Sequence, residues 1–250
     1  MSEDSPVLTW LRPAWPAPAR VRAASSLRGG GVSTAPYVSL NLGGHVGDLP
    51  AAVAENRRRL RLALELPAEP TWLRQVHGNH IIEAGADASG IDADGSWTAT
   101  PGVVCVVLTA DCLPLLLCTR HGSEVAALHC GWRGLAGGVI EAGLKRFRSK
   151  PPELIAWLGP AISGPSYEIG EEVRTALMAR YPTSATAFSP TRPQHYQADL
   201  YALSRRILAE AGVPTVFGGD RCTFRETDAF FSHRRDGATG RMASLIWLES

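Results

Sequence analysis

Lysine is almost missing from this sequence. Lys145 and Lys150 stand alone, and arginine, spread along the chain, makes up the rest of the 25 basic residues. Against 24 acidic residues they leave a formal charge of +1. Nucleic-acid binding and polybasic attachment to a membrane surface both need a marked positive excess, so neither partner is expected. Long hydrophobic runs are missing too. The most apolar stretch, Val103 to Cys118, is interrupted by Asp111 and Pro114 and is too short to cross a bilayer. The opening Met1-Ser-Glu-Asp-Ser-Pro6 lacks the basic-then-apolar order of a secretory signal. No internal repeat, low-complexity tract or interdomain linker is present. Cysteines number only five, and Cys105, Cys112, Cys118 and Cys130 lie close together inside apolar segments. That pattern does not suit the disulfide framework of a short secreted chain. These absences predict a cytoplasmic protein with reduced thiols, in which a cysteine near histidines serves as metal ligand or nucleophile.

What is present is an ordinary globular composition, 45% hydrophobic and 20% charged, on a chain of 250 residues long enough to bury a large core. The 25 glycines and 18 prolines exceed the usual share and predict many tight turns. Residues 1–20 are expected to wrap the surface and residues 21–250 to form one domain. Val21–Leu27 is a predicted strand, and Gly29-Gly30-Gly31 a turn. A helix is predicted after Asp48, with Asp48 as N-cap, Pro50 in the first turn and Val53, Leu60 and Leu64 on the apolar side. Val103–Leu108 and Leu113–Cys118 read as buried strands, Arg120–Ser123 as a turn and Val125–His129 as the returning strand. Further helices are predicted at Gly137–Phe147, Glu168–Tyr181 and Leu200–Gly212. Leu154–Leu158, Thr215–Phe217 and Met242–Leu248 complete the strands. Hairpins interleaved with helices indicate an α+β fold and not a regular βαβ succession.

The central hairpin can be read by register. If its turn centres near residues 121–122, Pro114 opposes His129 and Cys112 opposes Gly131. Cys112 and His129 then become diagonal neighbours on one face, roughly 7–8 Å apart at the backbone. Two inward-leaning side chains can close that gap onto a shared ion or onto each other. A one-residue slip, which Pro114 could cause, would separate them onto opposite faces. Gly131-Trp132-Arg133-Gly134 leads into a helix expected near Ala136. The turn suits an anion held by Arg133 and the helix end, or else a plain strand-to-helix connection with Trp132 as a core plug. His77, before Gly78, would add a third ligand, with His80 as a substitute. Three ligands from separate elements, leaving a fourth position open, is how catalytic zinc is usually held. Asp111 is either a strand-end cap or, if the chain turns there, a general base or a group that orients a ligand histidine. Cys105, Cys118 and Cys130 read as small core hydrophobes.

Several segments together resemble the YfiH-type laccase-domain family. They are Ser39-Leu-Asn-Leu-Gly-Gly-His-Val-Gly-Asp48, Gln75-Val-His-Gly78, Thr109-Ala-Asp-Cys112 with Pro114, and His129-Cys-Gly-Trp-Arg-Gly134. Leu158-Gly-Pro-Ala-Ile162, Phe231-Ser-His-Arg-Arg235 and Thr239-Gly-Arg241 add to the match, which runs from about Val21 to Leu248. The resemblance implies a single domain layered α/β/β/α with mixed, largely antiparallel sheets, and a metal site at His77, Cys112 and His129. It implies a cytoplasmic zinc enzyme acting on purine nucleosides. The implied reactions are phosphorolysis of adenosine, inosine, guanosine and methylthioadenosine, and deamination of adenosine. A copper-dependent polyphenol oxidase activity and a role in editing peptidoglycan precursors have also been attributed to the family. Catalysis would rest on Asp111, Cys112 and His129. Asn41, Gln75, Arg133 and Arg235 would contact the nucleoside or phosphate. Cys130 departs from the family's usual alanine and adds a thiol beside a ligand.

None of the seven histidines lies two residues from another. The His-x-His pairs of a multicopper cluster are therefore lacking, and Met1, Met178 and Met242 lie away from the motifs that could use an axial copper ligand. Copper can still compete for a nitrogen and sulfur site. A metal-free thiol hydrolase would use Cys112 as nucleophile and His129 as base, leaving His77 without a role. A non-enzymatic protein merely stabilised by zinc is the third reading.

Overall fold

Alternating burial along two adjacent strands divides the molecule into layers. In the computed structural model, which describes residues 8–250, Val104, Val106 and Leu108 pack on one side and Cys105 and Val107 on the other. In chain order the strands are β1 (Trp10–Leu11), β2 (Val21–Ser26), β3 (Ile81–Glu83), β4 (Gly95–Thr98), β5 (Val104–Thr109) and β6 (Leu113–Thr119). They continue with β7 (Val125–Cys130), β8 (Leu154–Leu158), β9 (Glu168–Gly170), β10 (Phe188–Pro190), β11 (His195–Ala198), β12 (Thr215–Gly218) and β13 (Met242–Leu248). The helices are α1 (Pro50–Ala63), α2 (Trp132–Gly137), α3 (Val139–Leu144), α4 (Glu171–Arg180), α5 (Leu200–Glu210) and α6 (His233–Asp236).

Two larger sheets lie face to face. One runs β1-β2-β13-β5, the other β12-β8-β6-β7-β4-β3, and a small β10-β11-β9 sheet stands beside them. Only β12–β8 and β3–β4 pair in parallel, so the sheets are mixed and largely antiparallel, as expected. Leu60, Trp72 and Trp247 fill the seam between α1 and the four-stranded sheet. Leu116, Cys118, Val125, Ala127 and Ile246 fill the seam between the sheets. Leu115, Leu128, Leu135, Ile140, Leu177 and Ile207 fill the seam beneath α2 to α5. The order is α/β/β/α, and every strand of the central hairpin is buried on both faces because it contributes to two seams.

The hairpin register follows the expected pairing, with Pro114 opposite His129 and Leu113 opposite Cys130. Pro114 causes no slip. Parity therefore sends Cys130 into the helix-side core and His129 into the layer between the sheets, so the extra thiol does not share the ligand's face.

Some boundaries differ from the sequence expectation. The helix after the central hairpin starts at Trp132, not near Ala136. The run expected at Gly137–Phe147 is broken at Gly138, whose φ of 84° ends α2 and starts α3. That left-handed conformation costs glycine little and other residues more. Glu168–Gly170 is strand, pairing with β11, and helix α4 begins only at Glu171. Asp48 is not the N-cap of α1; Leu49 is, and it caps without its side chain. The Asp48 carboxylate is drawn away by Ser33 Oγ at 2.6 Å and Asn41 Nδ2 at 2.9 Å. Residues 8–20 are half-buried or exposed apart from the short β1 pairing, while residues 1–7 of the expected surface segment lie outside the described residues.

Candidate metal centre

The central hairpin, its entry turn and the segment before β3 meet at one end of the sheet layers. There the ligand atoms of His77, Cys112 and His129 all lie within 4.8 Å of one another. The His77 and His129 ring centroids are 4.7 Å apart with planes at 74°. His77 is exposed, Cys112 is half-buried and His129 is buried, so the trio opens outward on the His77 side. Among the described residues it is the only group of three or more such side chains close enough to hold a metal ion. His80 takes no part: its Nδ1 meets the Asp92 carbonyl at 2.9 Å.

Backbone geometry aims the ligands. His77 has φ 60° and Asp111 has φ 99°, both left-handed and uncommon for residues with a Cβ. At Asp111 this turn joins β5 to β6 and sets Cys112, the residue before β6, beside His129. Gly131 clears the space between them. A Cβ there would lie 3.0 Å from Cys112 Sγ and 3.2 Å from His77 Cδ2.

Asp94, which the sequence reading did not single out, holds the cluster together. Its carboxylate, 0% exposed, accepts from His129 Nδ1 at 2.8 Å. It also accepts the backbone N–H groups of Val76 at 3.2 Å, His77 at 2.9 Å and Gly78 at 2.5 Å. A carboxylate only accepts, so His129 Nδ1 donates and Nε2 is left for a ligand. The Asp94 carbonyl accepts from His129 N at 2.7 Å, binding the ligand strand a second time. This carboxylate–histidine support fixes the tautomer and ring direction a metal site needs. The sequence signal was faint: Asp92 and Asp94 alternate before β4, and only the pairing of β4 with β7 distinguishes them. Asp92 faces outward to Arg74.

The electrostatics match a proton-for-metal exchange. Burial by itself raises the Cys112 thiol, but His129 and His77 outweigh it and bring it below the usual thiol range. Burial lowers the His129 imidazole, yet Cys112 and Asp94 outweigh that and raise it. The metal-free cluster thus favours a thiolate beside an imidazolium. Two imidazoles and a low-lying thiol, with a supporting carboxylate and a cleared Gly131, fit a borderline divalent ion such as zinc. By contrast, burial pushes Cys105 and Cys118 up to about 12, as suits core hydrophobes.

The other expected site residues fare differently. Asp111 is 8% exposed, and its carboxylate accepts from Thr223 Oγ1 and Arg234 N, both at 2.7 Å. It orients α6 and the Thr223 loop, whereas Asp94 orients the ligand histidine. Asn41 is fully buried, with its amide group bonded to Gly43 N and O, Asp48 and Arg241 N. The Gln75 amide pairs with both backbone groups of Leu108, at 2.8 and 2.7 Å. Arg235 spends its five N–H groups on Asp236 and on the Thr223, Phe224 and Phe230 carbonyls. Asn41 and Arg235 therefore support loops around the cluster and offer no free group to a substrate, while Gln75 braces Leu108 and keeps one amide N–H unspent. Arg133 is exposed and lies over the Trp132 ring at 4.3 Å, free to meet an anion. The helix behind it, α2, is only six residues long. Near it stands Tyr167, whose ring lies under Arg234 at 5.0 Å.

Comparison with known proteins matches this arrangement to named relatives. Residues 22–249 match the family described as multi-copper polyphenol oxidoreductase laccase. The chain is 53% identical over 240 residues to an Escherichia coli (strain K12) protein named purine nucleoside phosphorylase YfiH, covering 94% of this chain and 97% of that one. Among crystal structures, a Neisseria meningitidis protein superposes with TM-score 0.93 at 49% identity, over 96% of this chain and 99% of the other. YlmD from Geobacillus stearothermophilus superposes with TM-score 0.90 at 33% identity, over 96% of each chain.

Proposed function

The chain belongs to the multi-copper polyphenol oxidoreductase laccase family, and from that membership we propose that it is a zinc-dependent purine nucleoside phosphorylase. The observation that carries the reading is the outward-opening trio of His77, Cys112 and His129. Its support from comparison is the 53% identity to a protein named purine nucleoside phosphorylase. In the reaction the bond from the ribose C1′ to the purine nitrogen breaks, and a bond from C1′ to a phosphate oxygen forms. Adenosine, inosine, guanosine and methylthioadenosine all present this bond. Adenosine deamination would use the same face with water in place of phosphate, releasing ammonia from C6.

His77, Cys112 and His129 would hold the zinc, which when bound would supply Lewis acidity to the reacting nucleoside. Asp94 keeps His129 in one tautomer and fixes the His77 backbone, so neither ligand must reorganise during turnover. Exposed Arg133 draws phosphate towards the cluster. Asp111 acts as a positioning residue, holding α6 and the Thr223 loop in place beside Cys112. No helix of the described residues is long and apolar enough to cross a membrane.

The oxidase reading finds less support. A multicopper centre needs several clustered histidines, and the described residues offer one trio. Met242 is buried, and its sulfur already accepts from Phe231 N at 3.1 Å. A thiol hydrolase reading draws on the charge pairing of Cys112 with His129, but it leaves His77 and its Asp94 anchor unexplained.

Zinc-loaded protein incubated with inosine and phosphate should release hypoxanthine and ribose-1-phosphate. Bound zinc without either product would overturn the reading. Cys112→Ala and His77→Ala should each lose zinc and activity together. Rapid, selective alkylation of Cys112 in a metal-free protein that remains hydrolytically active would instead favour thiol chemistry.

A further inference from the structure

Arg241 lies where an anion beside the cluster would need a partner, and among the described residues it forms no ion pair. Strand register sets its position: Met242 pairs with Thr109, so Arg241 falls beside Ala110, next in the chain to Asp111 and Cys112. The segment Asn41–Gly43 fixes it from the other side. Arg241 N donates to Asn41 Oδ1 at 2.9 Å, and Leu42 N donates to the Arg241 carbonyl at 3.2 Å. A Cβ on Gly43 would lie 2.8 Å from Arg241 Cγ, so glycine is needed there for the side chain to pass.

Only one nitrogen of the guanidinium is used by the protein. Nη1 donates to the Thr239 carbonyl at 2.9 Å and the Gly240 carbonyl at 3.0 Å. Nε and Nη2 have no acceptor, and no carboxylate forms an ion pair with Arg241 among the described residues. Asp111, an acidic side chain whose charge reaches Arg241, has already engaged Thr223 and Arg234. The side chain is half-buried, and a guanidinium withdrawn from water without a counter-charge is costly. The same loop holds Thr239 Oγ1, buried and without a hydrogen-bond partner. Two residues beyond Gly43 is His45. It is exposed and follows closely on the segment that braces Arg241.

We propose that the free edge of Arg241, together with His45, seats a phosphate-type oxyanion beside Cys112. Arg133 then serves as the outer, steering cation, and Arg241 as the inner one that positions the anion for reaction. A planar guanidinium offering two adjacent N–H groups matches two oxygens of one phosphate. The inference deepens the phosphorolysis reading and rests on it for the role of the anion. The anion itself is either free inorganic phosphate or the phosphoryl group of a phosphorylated nucleoside.

The test measures equilibrium binding to the zinc-loaded protein by calorimetry, with inorganic phosphate, inosine and inosine 5′-monophosphate as separate probes. Saturable phosphate binding that Arg241→Gln weakens about tenfold or more would support the free-phosphate source. Inosine 5′-monophosphate binding more tightly than inosine, by a factor that Arg241→Gln removes, with no phosphate binding alone, would support the phosphoryl source. Arg206→Gln, far from the cluster, should leave all three titrations unchanged. His45→Gln should weaken the same anion by a smaller factor and keeps the test valid if Arg241→Gln does not fold. Arg241→Lys, retaining charge without the fork, should recover only part of the binding. Zinc content and inosine affinity should not change in these variants. Anion binding that is absent, or equal in wild type, Arg241→Gln and His45→Gln, would overturn the inference. Anion binding that depends on Arg241 without ribose-1-phosphate formation would uphold the seat and reject phosphorolysis instead.

Discussion

At the scale of single residues, Asp94 has the widest influence, because one carboxylate restrains two ligands lying on different segments. Asp94→Asn should weaken zinc binding about 10–100-fold, read by competition against a chelator of known affinity. Asp111→Asn is the contrasting change. Asparagine tolerates the left-handed backbone at 111, and Asp111 touches no ligand, so zinc affinity should stay close to that of the wild type. Equal losses in both variants would show that Asp94 has no special role. Gly131→Ala tests the cleared space directly. Its Cβ would crowd both Cys112 Sγ and His77, so zinc affinity should fall while the fold persists.

Cys112, His129 and His77 were legible from residue type, hairpin arithmetic and motif resemblance. Asp94 was not, because its partner His129 lies 35 residues away and nothing near Asp94 in the chain signals a ligand. Asn41 and Arg235 show the opposite difficulty. They lie in motifs shared with the family, yet a motif does not tell a residue that touches substrate from one that shapes the loop beneath it. Hydrogen-bond saturation makes that distinction, and it is a tertiary property.

Among the elements, β4 connects fold and site. Gly95 opens it, facing Leu128 of β7, and a Cβ there would meet Leu128 Cδ2 at 2.7 Å and the Ala127 carbonyl at 2.8 Å. Gly95→Ala must push β4 from β7 and carry the adjoining Asp94 with it. We expect a stability loss of about 1–3 kcal/mol, typical of overpacking, seen as a lower Tm, together with weaker zinc binding. A lower Tm with unchanged zinc affinity would disconnect β4 from the site. The loop that braces Arg241 has a similar anchor on α1. Buried Asn56 donates to Ser33 Oγ, the Ser39 carbonyl and the Asn41 carbonyl, and accepts from Val32 N. Asn56→Ala removes these bonds, leaving Val32 N and the Asn41 carbonyl unpaired, and should cost about 1–3 kcal/mol by denaturant unfolding.

The strands of the central hairpin and β13 followed from apolar runs, since strands buried on both faces need no other signal. Short strands such as β3, β4, β10 and β11 escaped the sequence reading. Each has only three or four residues and depends on its neighbour for pairing, so local sequence carries little of its identity. The Gly138 break was equally hidden, because the helical spacing of Val139, Ile140, Leu144 and Phe147 begins just after it and gives no sign of it.

For the whole molecule, three seams of buried side chains run between four layers, and the metal cluster sits at one end of them. Zinc is therefore not needed to hold the layers together. Chelation should abolish nucleoside turnover while leaving the far-UV circular dichroism intact and lowering Tm only modestly, by the linkage of a ligand that binds the native state alone. Loss of the folded spectrum on chelation would reverse this view and favour a purely structural metal.

The sequence by itself determined the fold class, the hairpin register and the three ligand types, because alternation, turn residues and side-chain chemistry are local properties of a chain. Only the tertiary structure decided which carboxylate holds the ligands, which motif residues are internally saturated and which arginine stands without a counter-charge. Those are questions of which groups have partners, and partners far apart in the chain meet only once the layers have packed.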